Sequence, residues 1–321
     1  AVDRRAAIDA MIAVAEPRGK VRAGTNEAPT KRQKTWLSAL TAGAALVRTE
    51  AWARDMDDGK VGVFNRYIVK PVMDALGNYR ADRSVRLDEL LAIVEPRRGE
   101  LLGARINAPE IGFAFENKGA LLHAILHSGS ESGKKKLLLG RGWSKGMIDQ
   151  KQAVTKLGRP RVDRQGNPIL DKGRLDTSQW DAMIERLIAD GTITADDKRM
   201  VEQIWGMMDS LKRPAQSAHK RIYGHYFGEV EAAPFTNSLG TWRGGYVPAI
   251  IDQYASVDAG KQDAAAALDS QMDASMFPST GSGFTKGRVE YNQPLALNLQ
   301  SLPGHVDKVL RFTHLEPTIR Q

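Results

Sequence analysis

Apolar residues that recur with the period of an α-helix are the feature that most constrains this sequence. They fall three or four positions apart in two neighbouring stretches, first at Trp180, Met183, Ile184, Leu187 and Ile188, then at Met200, Val201, Ile204, Trp205, Met208 and Leu211. This spacing places them along one face of each helix. Gly191 ends the first stretch, and Thr194 with Asp197 forms a capping pattern for the second. We therefore predict a long antiparallel helix pair over 176–227, its second helix kinked at Pro214.

Shorter helical patterns and loop signals fill most of the remaining sequence. Helical spacing recurs at residues 35–54, 63–76, 87–94, 117–127, 258–276 and 305–315. Residues 134–174 carry glycines and prolines throughout, which predicts mainly turns, with a hairpin tip at 164–168. After residue 230 aromatic residues alternate with prolines and glycines, which predicts an extended backbone. The predicted fold is mostly α, an elongated helical body with a long antiparallel helix pair and extended arms rich in aromatic residues and proline.

Composition divides the chain into three predicted regions. Residues 1–100 form an N-terminal helical region with a basic linker at about 17–34. Residues 101–230 form a helical core that contains the basic, Gly/Pro-rich insert at 134–174. Residues 231–321 form the extended arms and the C-terminal helices. Because the chain opens with Ala1 and stops at Gln321 directly after an apolar-periodic stretch, we expect a piece of a longer protein.

Positive charge is concentrated in two segments, the basic linker at about 17–34 and the insert at 134–174. The chain has 46 basic and 38 acidic residues, and twelve of the basic residues lie in the insert against three aspartates. Such segments favour a polyanionic partner, which could be DNA, RNA or an acidic membrane face. The candidate phosphate-binding residues are Lys31, Arg32, Lys34, Lys134, Lys135, Lys136, Arg141, Lys145, Arg159 and Arg161. The alternative is a solvated basic loop without a partner, since neither segment carries interleaved aromatics for base stacking.

Aromatic residues next to prolines and glycines supply the candidate docking residues. These are Trp242, Tyr246, Pro248 and Phe277, which would need a partner surface to bury against. The alternative is that such large aromatics belong to the core of this chain.

Metal and catalytic motifs are weak in this sequence. The absence of cysteine excludes disulfides and thiolate metal sites. His123 and His127 stand four apart on one predicted helix, as two zinc ligands would, but Ala124 takes the place of the metalloprotease glutamate. We therefore treat both histidines as weak candidates, expect them to pack in the structure, and predict no metal.

A glycine-rich stretch at 129–135 superficially resembles a nucleotide-binding loop. It has three residues between its glycines where a Walker loop has four, and Lys135 replaces the hydroxyl that binds magnesium. A phosphate contact without nucleotide chemistry stays open. The serine-hydrolase elbow and the dinucleotide fingerprint are missing, and Glu116 is a tempting acid without an identifiable partner. We assign no catalytic residue and no cofactor, which favours a non-enzymatic chain.

No stretch approaches the roughly 18 apolar residues that a spanning helix needs, so we predict no transmembrane segment.

The order of motifs from about residue 107 resembles a segment of the very large polyvalent proteins of tailed phages and mobile elements. The residues that carry the resemblance are 116–127, 136–143, 176–180, 218–220, 226–227, 242–248, 284–290, 292–299, 305–307 and 313–316. They cover about two-thirds of the chain, and no single motif is diagnostic. Residues 1–100 show the resemblance less clearly.

The resemblance implies a module that travels in the virion or enters the host cell with the DNA. We expect a virion-associated internal or ejection protein segment with a structural and assembly role, in contact with DNA or the portal. Its expected partners are other virion proteins or copies of itself in a homo-oligomer, with DNA as a further candidate. The alternatives are an enzyme delivered with the genome, such as a peptidoglycan hydrolase, and an intracellular DNA-binding module that protects incoming DNA.

Overall fold

The computed structural model describes residues 50–153, 160–163, 168, 173–250, 252 and 293–320. Most of these residues are helical, and the strands are short pairs, which confirms the predicted mostly-α fold class. Residues 50–54 of the helix predicted at 35–54 are described and are helical, whereas its residues 35–49 and the helix predicted at 258–276 lie outside the described residues. None of the helices in the described ranges combines the length and the apolar character that crossing a bilayer requires.

A long helix replaces the two short ones predicted near the start of the described chain. A π-turn at Asn65–Val69 leads directly into helix α1, Lys70–Val94. The region between the two predictions is also helical, and its Tyr79 is buried in the core. It ends at Val94, as predicted, and a 3-10 turn at Glu95–Arg97 leads into the short helix α2, Arg98–Leu101.

A small hairpin and two helices follow. Strands β1 (Ile106–Ala108) and β2 (Phe113–Phe115) pair antiparallel across a 3-10 turn at Pro109–Ile111. Helix α3 covers Lys118–Ser128, where the side-chain oxygen of its N-cap Asn117 accepts from the Ala120 backbone N–H at 2.9 Å. Helix α4 covers Glu131–Gly140, capped in the same way by Ser130. The prediction of turns was therefore wrong for residues 134–140, because the Ser130 cap starts a helix there.

Helix α3 is the centre of the core. All of its residues are buried, from the Lys118 end to Ser128. Most of these residues are apolar, and a helix that is buried on all sides must be surrounded by protein. One hydrophobic cluster accordingly draws on residues from Tyr79 in α1 to Leu310 near the C-terminus, so all three predicted regions contribute to it.

The remainder of the insert forms small paired pieces where it is described. Strand β3 (Met147–Ile148) pairs antiparallel with β4 (Arg174–Leu175). An isolated antiparallel bridge joins Val162 to Pro168. This bridge brackets the predicted hairpin tip, whose residues 164–167 lie outside the described ranges.

The two helices predicted over 176–227 are present. Helix α5 covers Ser178–Ala189, and helix α6 covers Ala195–Tyr223 without interruption at Pro214. The predicted capping box is confirmed, since the Thr194 and Asp197 side chains each bind the other residue's backbone N–H. The packing of α5 and α6 differs from the predicted antiparallel arrangement. Helix α6 packs mainly against α1 and the C-terminal helix, whereas α5 packs against the Pro109–Ile111 turn.

The C-terminal part closes the fold. Strands β5 (Phe235–Asn237) and β6 (Gly240–Trp242) form a hairpin, and helix α7 covers Ser301–His314. Helix α7 packs against both α1 and α6, and helix α8 (Glu316–Ile319) follows it. The Tyr79 hydroxyl donates to Asp307 Oδ1 at 2.5 Å, which links α1 to α7 across most of the sequence.

Candidate functional site

The lysines predicted to bind phosphate on helix α4 are all half-buried. Lys134 places its ammonium 5.3 Å from the centre of the Phe235 ring, a cation–π contact with the β5–β6 hairpin. Lys145 and Arg161 are exposed. The remaining candidates lie outside the described residues, namely Lys31, Arg32, Lys34 and Arg159.

Arg141, predicted to bind phosphate, instead joins distant parts of the chain. Its Nε donates to the Leu295 carbonyl at 3.1 Å, and its Nη2 donates to Asp252 Oδ2 at 2.8 Å. The guanidinium also lies 5.2 Å from the Phe113 ring centre. Burial lowers the pKa of Arg141, and the hydrogen bond with Asp252 opposes that shift. The side chain is thus committed to holding residues 252 and 295 against α4.

The glycines at 129 and 133 serve close packing. A Cβ on Gly129 would lie 2.3 Å from Trp205 Cζ2, and a Cβ on Gly133 would lie 2.4 Å from the His127 carbonyl oxygen. The Gly133 N–H is occupied by the Ser130 side chain. The Gly129 carbonyl accepts from the backbone N–H groups of Ala233 and Gly245. Packing therefore explains both glycines of the stretch that resembles a phosphate loop.

The candidate docking residues are buried within the chain itself. Trp242 has no exposed surface, and Tyr246 and Pro248 are also buried. The Trp242 ring stacks on Phe235 at 5.5 Å between ring centres, and it meets Trp205 edge-on. The apolar surface of Trp242 is covered by α6 and the hairpin, which corrects the expectation that a partner must cover it. Phe277 lies outside the described residues.

His123 and His127 lie together inside α3, with ring centres 4.8 Å apart. Burial lowers the pKa of His123 to about 4, opposed by the nearby backbone of Ala296. Among the described residues, no three His, Cys, Asp or Glu side chains converge in a way that could hold a metal ion. The two rings pack in the core, as the alternative interpretation expected.

A buried charge network connects α2, α3 and α6. Asp197, which is fully buried, pairs with Arg97 at 2.6 Å and with Lys118 at 2.9 Å. Lys118 also bonds Glu100, and this contact lowers the pKa of Glu100. Each buried charge therefore has an opposite charge beside it, as burial in a low-dielectric interior demands. The network holds the start of α6 against the start of α3.

Glu116, the tempting acid of the sequence, lines two neighbouring cavities. The larger, of about 580 Å³, is mainly apolar and lies between the end of α1, α2, the start of α3 and residues 297–303. The smaller, of about 320 Å³, is lined by Glu116, Arg105, Arg141 and Asp252 among others. Glu116 itself is exposed.

Sequence reasoning missed a basic surface on the last three turns of α6. Residues 210–228 contain four Lys and Arg residues and no Asp or Glu. Three of these cations, Arg213, Lys220 and Arg221, are exposed, and we call them the α6 basic face. The lack of acidic residues over this stretch was visible in the sequence, but its overall excess of charge is smaller than that of the insert.

Comparison with protein-family models, with curated proteins and with solved structures gives no match.

Proposed function

We propose that this chain is an assembly module of a tailed-phage particle that contacts the DNA backbone through its positively charged surface. The proposal follows from the resemblance described above and from the charge distribution. It makes the chain a binding and structural component, with other virion proteins or further copies of itself as neighbours. Its expected location is the virion, from which it could enter the host cell with the genome.

The observation that carries the proposal is the different use of cations inside and outside the fold. The inner cations Arg97, Lys118 and Arg141 are neutralised by acids of the same chain. Lys145 and Arg161, which belong to the insert, are exposed, and neither forms an ion pair within 4 Å among the described residues, although Lys145 lies close enough to Asp176 to help lower the pKa of that carboxyl. A net charge of +8 with exposed cations favours phosphate contacts that release counterions.

A salt series with the full chain tests this proposal. The full chain is titrated into a short fluorescein-labelled DNA duplex, and fluorescence anisotropy is followed at several salt concentrations between about 50 and 200 mM. We expect binding whose log K falls linearly with log salt. A folded chain that leaves the anisotropy unchanged at the lowest salt concentration would contradict the proposal.

One observation favours a second candidate, an enzyme delivered with the genome that cleaves peptidoglycan. Glu116 and Asp252 line the same cavity, and glycoside cleavage uses two carboxylates. Asp252 is already bonded to Arg141, which weakens this candidate. Loss of turbidity of a cell-wall suspension that Glu116→Gln abolishes would support this candidate. Equal activity of the unaltered chain and the Glu116→Gln variant would exclude Glu116 as the acid.

A further inference from the structure

We propose that the α6 basic face, Arg213, Lys220 and Arg221, is where this chain binds the phosphate backbone of duplex DNA. The inference rests on the proposed DNA contact and names the surface that makes it. From the sequence, this contact is predicted at other segments, the basic linker and the insert.

The spacing of the three cations suits a contact made along one edge of α6. Arg213 and Lys220 are seven residues apart, so they lie on the same side of the helix, separated by about 10 Å along its axis. Arg221 follows Lys220 in the sequence and lies about 100° further around the helix, so it widens this row to one side. Duplex DNA carries one negative charge per about 1.7 Å of its axis, so a cationic row of this length can meet several phosphates.

None of the three cations is neutralised within the described residues. Arg213 and Arg221 make no side-chain hydrogen bond or ion pair there, and Lys220 contacts only the uncharged Tyr226. The neighbouring cations are different, since Lys212 pairs with Asp209 and Arg320 pairs with Glu316. The α6 basic face is therefore a positively charged surface whose three cations form no ion pair within the described residues.

Three acids lie close in sequence or packing, Glu229, Glu231 and Glu316, and none of them forms an ion pair with these cations among the described residues. Glu229, which follows the stretch, accepts a hydrogen bond from the Gln216 amide at 2.9 Å. Glu316, on the packed helix α8, is buried and bonded to Arg320. Neither carboxylate pairs with a member of the α6 basic face.

Tyr226 supplies a neutral phosphate donor at the edge of this surface. It is 58% exposed, and its hydroxyl oxygen accepts from Lys220 Nζ at 3.2 Å. Because the oxygen accepts, the hydroxyl hydrogen stays available for a phosphate oxygen. Tyrosine hydroxyls, lysines and arginines are the side chains that commonly make backbone contacts to DNA.

Helix stabilisation alone does not account for the arrangement. Lys220 and Arg221 lie in the last turn of α6, where cations interact favourably with the helix dipole. That benefit falls off within one turn, and Arg213 lies ten residues before the last helical residue, Tyr223. A surface for an anionic partner accounts for all three cations.

The test compares two triple variants of the full chain in the same salt series. Arg213→Gln, Lys220→Gln and Arg221→Gln together remove the α6 basic face. The matched control, Lys60→Gln, Arg66→Gln and Arg80→Gln, removes the same charge from exposed cations elsewhere. Circular dichroism and a thermal melt establish that each variant is folded.

We expect the first variant to flatten the plot of log K against log salt by between about two and three units, since each lost phosphate contact removes about 0.9. The control should keep the slope of the unaltered chain. Tyr226→Phe should weaken binding about fivefold, the size of one lost hydrogen bond, while it leaves the slope unchanged.

Other outcomes separate this inference from the proposed function. The unaltered chain binds the duplex in the first of these outcomes. If the slope of log K against log salt then falls equally in both triple variants, or in neither, the inference is wrong and the proposed DNA contact still stands. If the unaltered chain binds no duplex, the proposed function fails with it. The first variant is also tested against phosphatidylserine vesicles and single-stranded DNA. If it loses as much affinity for either of these as for the duplex, the assignment to duplex DNA is overturned.

Discussion

The indole ring of Trp205 occupies the space that any side chain on Gly129 would need. The Cβ of a larger residue would lie 2.3 Å from Trp205 Cζ2 and 2.7 Å from the Gly245 nitrogen. The same indole donates to the Leu126 carbonyl at 3.1 Å. Helix α6, the junction of α3 and α4, and the segment after β6 therefore meet at one point that only glycine permits.

Gly129→Ala should destabilise the fold by about 1 to 3 kcal/mol, the usual cost of overpacking. Gly77→Ala is the matched control, because Gly77 lies inside α1 and a methyl group there would have no heavy atom within 4 Å. That variant should stabilise the helix by about 0.5 to 1 kcal/mol. Urea unfolding measures both, and equal effects of the same sign would contradict this account of Gly129.

Arg141→Gln should destabilise the fold by about 3 kcal/mol, because it removes the ion pair with Asp252 and the hydrogen bonds from the guanidinium to the Leu295 carbonyl. Arg98→Gln removes an exposed arginine that pairs with the exposed Glu95, and it should cost less than about 1 kcal/mol. Chemical denaturation measures the free energy of unfolding of the Arg141→Gln and Arg98→Gln variants. If Arg141→Gln unfolds at the same denaturant concentration as the unaltered chain, Arg141 is free to bind phosphate after all.

Asp197→Asn should cost about 3 to 5 kcal/mol, since it leaves the cations of Arg97 and Lys118 without their buried partner. Asp196→Asn makes the same chemical change one residue away, at an exposed carboxylate that pairs with Arg199. It should cost less than about 1 kcal/mol. Thermal melts followed by circular dichroism measure the difference, and two equal melting temperatures would rule out the network as a stabilising element.

Acid should weaken the fold through His123. Its pKa falls from 6.5 to about 4 on folding because burial disfavours the charged ring. Between these two values the unfolded chain binds a proton that the folded chain does not, so stability is complete above pH 6.5 and declines as the pH falls towards 4. The full loss is about 3 kcal/mol.

His123→Leu should remove this part of the pH dependence. Urea unfolding of both chains at several pH values between about 7 and 4 measures it. If the two chains lose stability in parallel over that range, His123 is not the group responsible.

Local patterns in the sequence predicted the parts of the fold that depend on neighbouring residues. The α6 start at the Thr194–Asp197 box and the α5 end before Gly191 follow from capping chemistry and periodicity. The helix at 131–140 was missed because its two glycines and three consecutive lysines concealed the Ser130 cap.

The tertiary roles could not be predicted, because they join residues far apart in the sequence. Trp242 was expected on a docking surface, and only its contacts with Trp205 and Phe235 show that the chain buries it. Arg141 was expected at a phosphate, and only the return of residue 295 to α4 reveals its partner. In contrast, Arg213 and Arg221 stay exposed, and that exposure points to the α6 basic face.

Cross-linking inside purified particles tests the central claim most directly. In the proposed function the chain belongs to a phage particle, so DNA-filled virions of the proposed phage source are irradiated with ultraviolet light, digested with nuclease and protease, and analysed by mass spectrometry for peptides that carry a nucleotide. The account predicts that the chain is present in these particles and that its cross-linked peptides come from residues 210–228. Absence of the chain from the particles, or its presence with nucleotides attached only elsewhere or nowhere, would contradict the account.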